Sequence, residues 1–242
     1  MGDDSYVFNR VCVECRFLFM LAMRHTEARH SNNQEAVMQL PIEINKVKGF
    51  LAPDEGKALY RYAFETAVLG SCLEVGSYCG KSTVYLGAAA KSKGGVVYAI
   101  DHHRGSEEHQ KGEEYHDPDL YDNGAQLMDS FREFRKTMRA AQLEDTVVPI
   151  VAPSRIASKR WATPLGMVFI DGGHSFEAAL ADYRSWAAHI VPGGILAIHD
   201  IFPDPAKGGQ APHDIWKLAK ASGLFEEMSM VSTLGAFRRL AV

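Results

Sequence analysis

Long apolar runs are missing from this sequence. The longest near its start, Phe17 to Met23, falls far short of the ~20 residues that cross a bilayer. Asp3 and Asp4 stand where a secretory leader would carry positive charge. Cysteine is scarce as well, with four in 242 residues, which excludes a disulfide scaffold. Cys12 and Cys15 form a CxxC pair, but no second pair or histidine partner follows at zinc-site spacing; Cys72 and Cys79 flank a strand end and read as buried thiols. A basic excess is absent too. Against 26 Lys and Arg stand 30 Asp and Glu, a net charge of −4 with a pI near 6.2, which speaks against nucleic acid and anionic membrane as partners. Repeats and low-complexity stretches are lacking. What remains, 46% hydrophobic, reads as a soluble, cytoplasmic globular protein: one large domain, or one domain with an extension.

From Gly70 onward short apolar runs alternate with amphipathic stretches. Ser71–Val75, Val96–Ile100, Val147–Val151, Met167–Ile170 and Ile195–Ile198 read as strands. Pro53 with Asp54 and Glu55 marks the start of a helix running to about Val68, since proline suits the first turn and acids favour the positive end of the dipole. Further helices are expected from Lys81 to about Lys91, along Leu127, Phe131, Phe134 and Met138, from Phe176 to His189, and around His213–Ala221. Pro192-Gly193-Gly194 reads as a stop. Glu226–Val231 and Gly235–Leu240 look like a terminal antiparallel pair. Strands alternating with helices imply βαβ units and a mostly parallel sheet covered on both faces. Residues 1–45 do not fit this rhythm and read as an extension that lids the site or contacts a second copy in a homodimer; the domain proper spans 46–242. The polar segment His102–Asn123 follows a strand end and is long enough to be functional.

The most informative stretch is Leu73-Glu74-Val75-Gly76-Ser77-Tyr78-Cys79-Gly80-Lys81-Ser82, a strand entering a glycine turn and then a helix. In an open α/β sheet, ligands bind at the carboxyl ends of the strands. Three readings compete. A dinucleotide fingerprint needs glycine where Tyr78 stands. A phosphate loop is missed by one residue, and Glu74 at the strand tip would repel a triphosphate. The third ligand, S-adenosylmethionine, has no phosphates: Glu74 can meet its ammonium group, and Asp101, at the end of the next strand, can take both ribose hydroxyls.

A second constellation sits further on. Ile170-Asp171-Gly172-Gly173-His174 ends one strand and Ala197-Ile198-His199-Asp200 another. If the two strands are parallel neighbours, Asp171, His174, His199 and Asp200 converge at one edge. Two carboxylates suit a hard divalent cation such as magnesium, which would lower the pKa of a substrate hydroxyl, and a nearby histidine could take its proton. The plainer reading makes Asp171 a helix cap and His174 a first-turn residue. His103, His109 and His116 match no standard zinc spacing, and Tyr115, Tyr121 and Trp161 fit either packing or a stacked sugar ring.

Glu-Val-Gly-Ser-Tyr-Cys-Gly-Lys-Ser resembles the first motif of class I methyltransferases in the form used by catechol-type O-methyltransferases, and the likeness covers roughly Val47 to Leu240. It implies a Rossmann-like α/β fold with a seven-stranded mixed sheet and helices on both faces. It places Gly76, Tyr78 and Ser82 on the methionine part of S-adenosylmethionine, Asp101 on the ribose, and His102 and Ser154 against the adenine, with Asp171 bordering the same pocket. Asp-Gly-Gly-His, Pro-Gly-Gly and His-Asp resemble a metal-dependent branch that includes macrolide-sugar methyltransferases and proteins labelled cephalosporin hydroxylases. That branch carries histidine where catechol-type enzymes have a lysine base. The likeness therefore implies His174 as base, Asp171, His199 and Asp200 as ligands for Mg2+ or another divalent cation, and a small-molecule acceptor, preferably a saccharide hydroxyl. A catechol or phenol acceptor, a nucleotide-binding protein and a noncatalytic S-adenosylmethionine binder are the other readings.

Overall fold

A computed structural model describes residues 38–241 except 107, 108 and 114. The CxxC pair and most of the expected extension, residues 1–37, lie outside the described residues. Met38 opens the described unit, and Met38, Leu40, Ile42 and Ile44 pack against its core.

Seven strands form one sheet in the order β5-β2-β1-β6-β7-β9-β8. They are β1 (Ser71–Val75), β2 (Val97–Asp101), β5 (Val147–Val151), β6 (Leu165–Ile170), β7 (Ile190–Ile198), β8 (Phe225–Glu227) and β9 (Gly235–Arg239). The first five pair in parallel, and β9 runs antiparallel to both β7 and β8. The expected mixed seven-stranded sheet is thus present, terminal antiparallel pair included. Successive side chains point to opposite faces, and both faces are covered. Cys72, Ala99, Phe169 and Ala197 pack under the helices α1 (Pro53–Thr66) and α2 (Lys81–Ser92). Leu73, Val168, Leu196 and Ile198 pack against α5 (Phe176–Trp186) and α6 (Ala211–Ala221). Every residue of β6 is buried, as a central strand with two covered faces requires.

Three local expectations need correction. Leu127 does not begin a helix: it lies in β4 (Leu127–Met128), antiparallel to β3 (Tyr121–Asp122). The Asp122 carboxylate accepts the N–H groups of Gly124 and Ala125, closing the turn between them, so the helix α3 (Phe131–Ala140) starts later. The helix expected to reach His189 stops at Trp186 and tightens into a 3-10 turn, Ala187–His189. Pro192-Gly193-Gly194 does not precede the strand but lies within β7, where the pairing with β6 shifts register between Leu165 and Met167. Gly193 carries φ +82° there, a backbone state that glycine adopts without strain.

The chain moves outward from β1 through β2 to β5, then returns to β6 on the other side of β1 and moves outward to β7. The switch point lies between β1 and β6, and the crevice beyond their carboxyl ends is where ligands bind in such sheets.

Candidate functional site

The turn after β1 is built for close approach. Gly76 has φ +89°, and a Cβ at that position would come within 1.9 Å of the Asp171 carbonyl oxygen; only glycine lets the β1 and β6 ends meet so tightly. Gly80, with φ +90°, caps α2, and Tyr78 is held at φ +44°. The Tyr78 backbone N–H donates to Asp101 Oδ2 at 2.8 Å and that of His103 to Oδ1 at 2.6 Å. Both oxygens of the expected ribose ligand are therefore fixed in direction. Lys81 does not turn into the loop; its Nζ donates to the Gly49 carbonyl at 3.1 Å.

Glu74 is fully buried. Its Oε2 accepts from Thr83 Oγ1 at 2.5 Å, whereas Oε1 has no partner among the described residues, and neither does the buried Ser77 hydroxyl. Burial pushes the Glu74 carboxyl up to about 8, with Asp171 and Asp101 adding to the effect against the hydrogen bonds of Ser82 and Thr83. An orphaned carboxylate oxygen beside a glycine turn fits the ammonium end of an amino-acid ligand. Ser82 faces this carboxyl.

His102 is exposed and accepts the Arg104 backbone N–H. Ser154 opens a short helix, α4 (Ser154–Ala157), and its oxygen accepts from Trp186 Nε1 at 2.7 Å. His103 turns away from solvent: it lies against the rings of Phe131 and Phe134, with Nδ1 2.8 Å from Ser130 Oγ.

Beyond β6 and β7 the acids and histidines converge. Asp171, His174 and Asp200 each offer one ligand atom, and these atoms lie within 4.8 Å of one another; no other group of three His, Cys, Asp or Glu among the described residues does so. His174 Nε2 stands 3.2 Å from Asp200 Oδ2. Asp200 sits at φ +57° directly after the strand, which turns its carboxylate back over the edge. His199 lies directly beside this triangle. Its Nδ1 is 3.0 Å from Asp171 Oδ1 and 3.4 Å from Asp200 Oδ2, and its Nε2 is 3.0 Å from Glu55 Oε2. Burial opposes a charge on this imidazole, but the three carboxylates outweigh it and hold its pKa far above the ordinary range. His199 thus bridges Asp171, Asp200 and Glu55, while the side chains whose ligand atoms gather at one point are those of Asp171, His174 and Asp200. Asp200 is held well below the usual carboxylate range: burial pulls it up, and the bonds to His174 and His199 more than compensate.

Glu55 is the residue that the sequence does not single out. It reads as a helix-start acid, and its Oε2 does accept the Ala52 N–H. Yet it is 2% exposed, and its Oε1 accepts the Thr233 N–H at 2.9 Å and hydroxyl at 2.7 Å. No signal near Glu55 in the chain points to partners 144 and 178 residues away.

Beside Tyr78 lies an open basin of about 470 Å³ lined by Lys48, Gly49, Phe50, Tyr115, His116, Asp117 and Pro118. Phe50 meets Tyr115 edge-on at 5.4 Å, and Tyr78 lies 5.4 Å from His109. Lys48 bridges Asp117 and Asp119 at 2.6 and 2.9 Å and so ties the segment before α1 to the loop after β2. No helix among the described residues is long and apolar enough to cross a membrane.

Residues 73–201, just over half of the chain, match the family described as a methyltransferase domain. Solved structures share the fold. The O-methyltransferase NovP aligns with TM-score 0.59 at 16% identity, over 77% of this chain and 80% of that one. An O-methyltransferase from Bacillus cereus, solved with S-adenosylhomocysteine, aligns with TM-score 0.55 at 18% identity, over 90% and 97%. TomG from Streptomyces achromogenes, an O-methyltransferase of tomaymycin synthesis solved with S-adenosylmethionine, aligns with TM-score 0.53 at 15% identity, over 79% and 82%.

Proposed function

Since this chain belongs to the methyltransferase-domain family, we propose that it moves a methyl group from S-adenosylmethionine to a hydroxyl of a small molecule, with help from a divalent cation. One observation carries the reading: Gly76 lies directly against Asp171, so the turn suited to the donor and the Asp171–His174–Asp200 triangle share one edge. When bound, S-adenosylmethionine supplies an activated methyl group and the cation an acidified acceptor hydroxyl.

The protein's part is to position and to move one proton. Asp101 receives the ribose hydroxyls, with its carboxylate aimed by the Tyr78 and His103 N–H groups. Glu74 and the glycine turn take the methionine end. His102 and Ser154 flank the adenine. Asp171 and Asp200 would hold the cation, and His199, itself anchored by Glu55, lies against both and fixes their orientation. His174 takes the acceptor's proton. Its place in the triangle also suits a third ligand, but imidazole is a softer donor than magnesium prefers, which favours the base. Such alignment of reactants accounts for much of the rate in transfers of this kind.

A saccharide or glycoside is the preferred acceptor. The aromatic faces of Phe50, Tyr78 and Tyr115 around an open basin support a ring-stacking substrate, and a catechol is the competing one. Calorimetric titration with S-adenosylhomocysteine, and separately with ATP, each with and without magnesium, tests the donor. The analogue should bind nearly alike under both conditions and ATP should stay silent; magnesium-dependent ATP binding would overturn the reading. His174→Ala should cut turnover at least ~100-fold with cation affinity retained, whereas lost cation affinity would make His174 a ligand.

A further inference from the structure

The turn between β8 and β9 reaches back to the cation site. Val231 and Leu234 pair across it, with N–H to carbonyl distances of 3.0 and 2.8 Å, which leaves Ser232 and Thr233 at its tip. Tips of this kind commonly give their polar groups to water. The three polar groups of Thr233 go to protein instead. Its N–H and hydroxyl both donate to Glu55 Oε1, at 2.9 and 2.7 Å, and its carbonyl accepts the Ile201 N–H at 2.9 Å. A Cβ on Gly235 would come within 2.3 Å of the Ile201 side chain. The chain leaving the turn is therefore pressed directly onto the residue that follows Asp200.

These bonds meet the His199-Asp200 pair from two sides. Glu55 Oε2 lies 3.0 Å from His199 Nε2, and His199 Nδ1 in turn faces Asp171 and Asp200. Along the backbone, the His199 N–H donates to the Ile170 carbonyl at the end of β6, at 3.1 Å. Ile201 is the anchor on the other side of Asp200, and Thr233 supplies it. Asp200 between them stands at φ +57°, a state that persists in a residue with a side chain where its neighbours over-determine it. We propose that Thr233 is a positioning residue of the cation site, aiming the His199 side chain through Glu55 and the Asp200 carboxylate through Ile201. The inference rests on the proposed cation and adds to it a residue that touches neither cation nor substrate. Residues behind the ligands tune a metal's affinity because they decide where the ligand atoms point. A merely structural Thr233, pinning the turn to the rest of the fold, would weaken stability and every ligand alike.

That difference supplies the test. Thr233→Val removes the hydroxyl but keeps the side chain's shape and both backbone bonds; Thr233→Ser gives the hydroxyl back. Ser232→Ala is the control: Ser232 Oγ donates to Asp54 Oδ2 at 2.6 Å, so its loss loosens the same turn without touching Glu55. Mn2+ and, separately, S-adenosylhomocysteine are titrated calorimetrically into the wild type and the three variants, with thermal melts to confirm folding. Should Thr233→Val not fold, Thr233→Ala removes the same hydroxyl. Mn2+ should bind Thr233→Val roughly tenfold more weakly, the low end of the range for partners of ligating residues. Thr233→Ser and Ser232→Ala should bind Mn2+ as the wild type does, and S-adenosylhomocysteine should bind all four proteins alike. Unchanged Mn2+ affinity in Thr233→Val would overturn the proposal. So would an equal loss in Ser232→Ala, or a fall in S-adenosylhomocysteine affinity alongside that for Mn2+, since either marks a structural role. A wild type that binds no Mn2+ sinks the cation reading itself, whereas Mn2+ binding indifferent to Thr233 sinks only the role of Thr233.

Discussion

Replacing Glu74 with glutamine should change how stability responds to pH more than stability at any one pH. Glu74 is fully buried, and burial lifts its carboxyl from the ordinary 4.5 to about 8. A raised acid binds its proton more tightly in the folded state. Its contribution is therefore intact at low pH and is lost as pH rises from about 4.5 towards 8, because the unfolded chain ionises first. At 1.36 kcal/mol per pH unit the whole gap is about 5 kcal/mol, of which roughly 3–4 kcal/mol develops between about pH 5 and pH 8. Glutamine cannot ionise, so the stability difference between variant and wild type should move in the variant's favour by that amount across the window. For a chain of this size that corresponds to roughly 10 °C in Tm. Urea unfolding of both proteins at several pH values within the window reads it directly, and subtracting one from the other cancels every other titrating group. A difference that stays flat with pH would refute the argument and mean that Glu74 is already ionised within the fold. An ammonium ligand acts on the same group in the opposite sense: it favours the carboxylate. Binding of S-adenosylhomocysteine near pH 7 should then release a proton, visible as a buffer-dependent heat.

Three further outcomes are expected. Gly76→Ala puts a methyl group 1.9 Å from the Asp171 carbonyl oxygen at a positive φ; it should cost at least ~2 kcal/mol and abolish donor binding, checked by thermal melt and calorimetry. Glu55→Gln strips the buried His199 of one of its charged partners. Breaking such a pair costs about 3–5 kcal/mol, seen as a lower urea midpoint, with weaker cation binding because Asp171 and Asp200 lose their common anchor. Lys48→Met removes a half-exposed bridge to Asp117 and Asp119 and should alter stability by no more than about 1 kcal/mol in the same unfolding assay.

The parts of the fold that were legible in the sequence are those governed by local pattern. Val96–Ile100 and Met167–Ile170 are apolar runs bounded by turns and helices, and a buried parallel strand leaves that trace however it is paired; the strands themselves span Val97–Asp101 and Leu165–Ile170. The glycine turn was legible for the same reason, since its backbone demands fall on consecutive residues. The hairpin of β3 and β4 was not, because Leu127 happens to extend the helical spacing of Phe131, Phe134 and Met138, while the deciding interaction is the Asp122 turn. Pro192-Gly193-Gly194 has the composition of a loop, and only its pairing beside β6 makes it strand. Within the site, the convergence of Asp171 and Asp200 followed from strand ends, but the allegiance of His199 did not: its charge depends on Glu55, which nothing local connects to it.

The bond from Glu55 to His199 and Thr233 also sets a sequence of events. It joins the helix that precedes the first strand to the last strand crossing and to the loop before β9. Non-local contacts are made late in folding, once the intervening chain has closed, and during synthesis the N-terminal part waits for the rest. Until Thr233 is in place, Glu55 lacks the two bonds that hold its Oε1, although His199 already lies between it and the strand-tip carboxylates. A chain cut short before Thr233 could still form β1, the glycine turn and Asp101, yet Glu55 would lack the Thr233 bonds that hold it against His199. Competence for chemistry should therefore arrive as the last act of folding, after the donor's half of the crevice already exists.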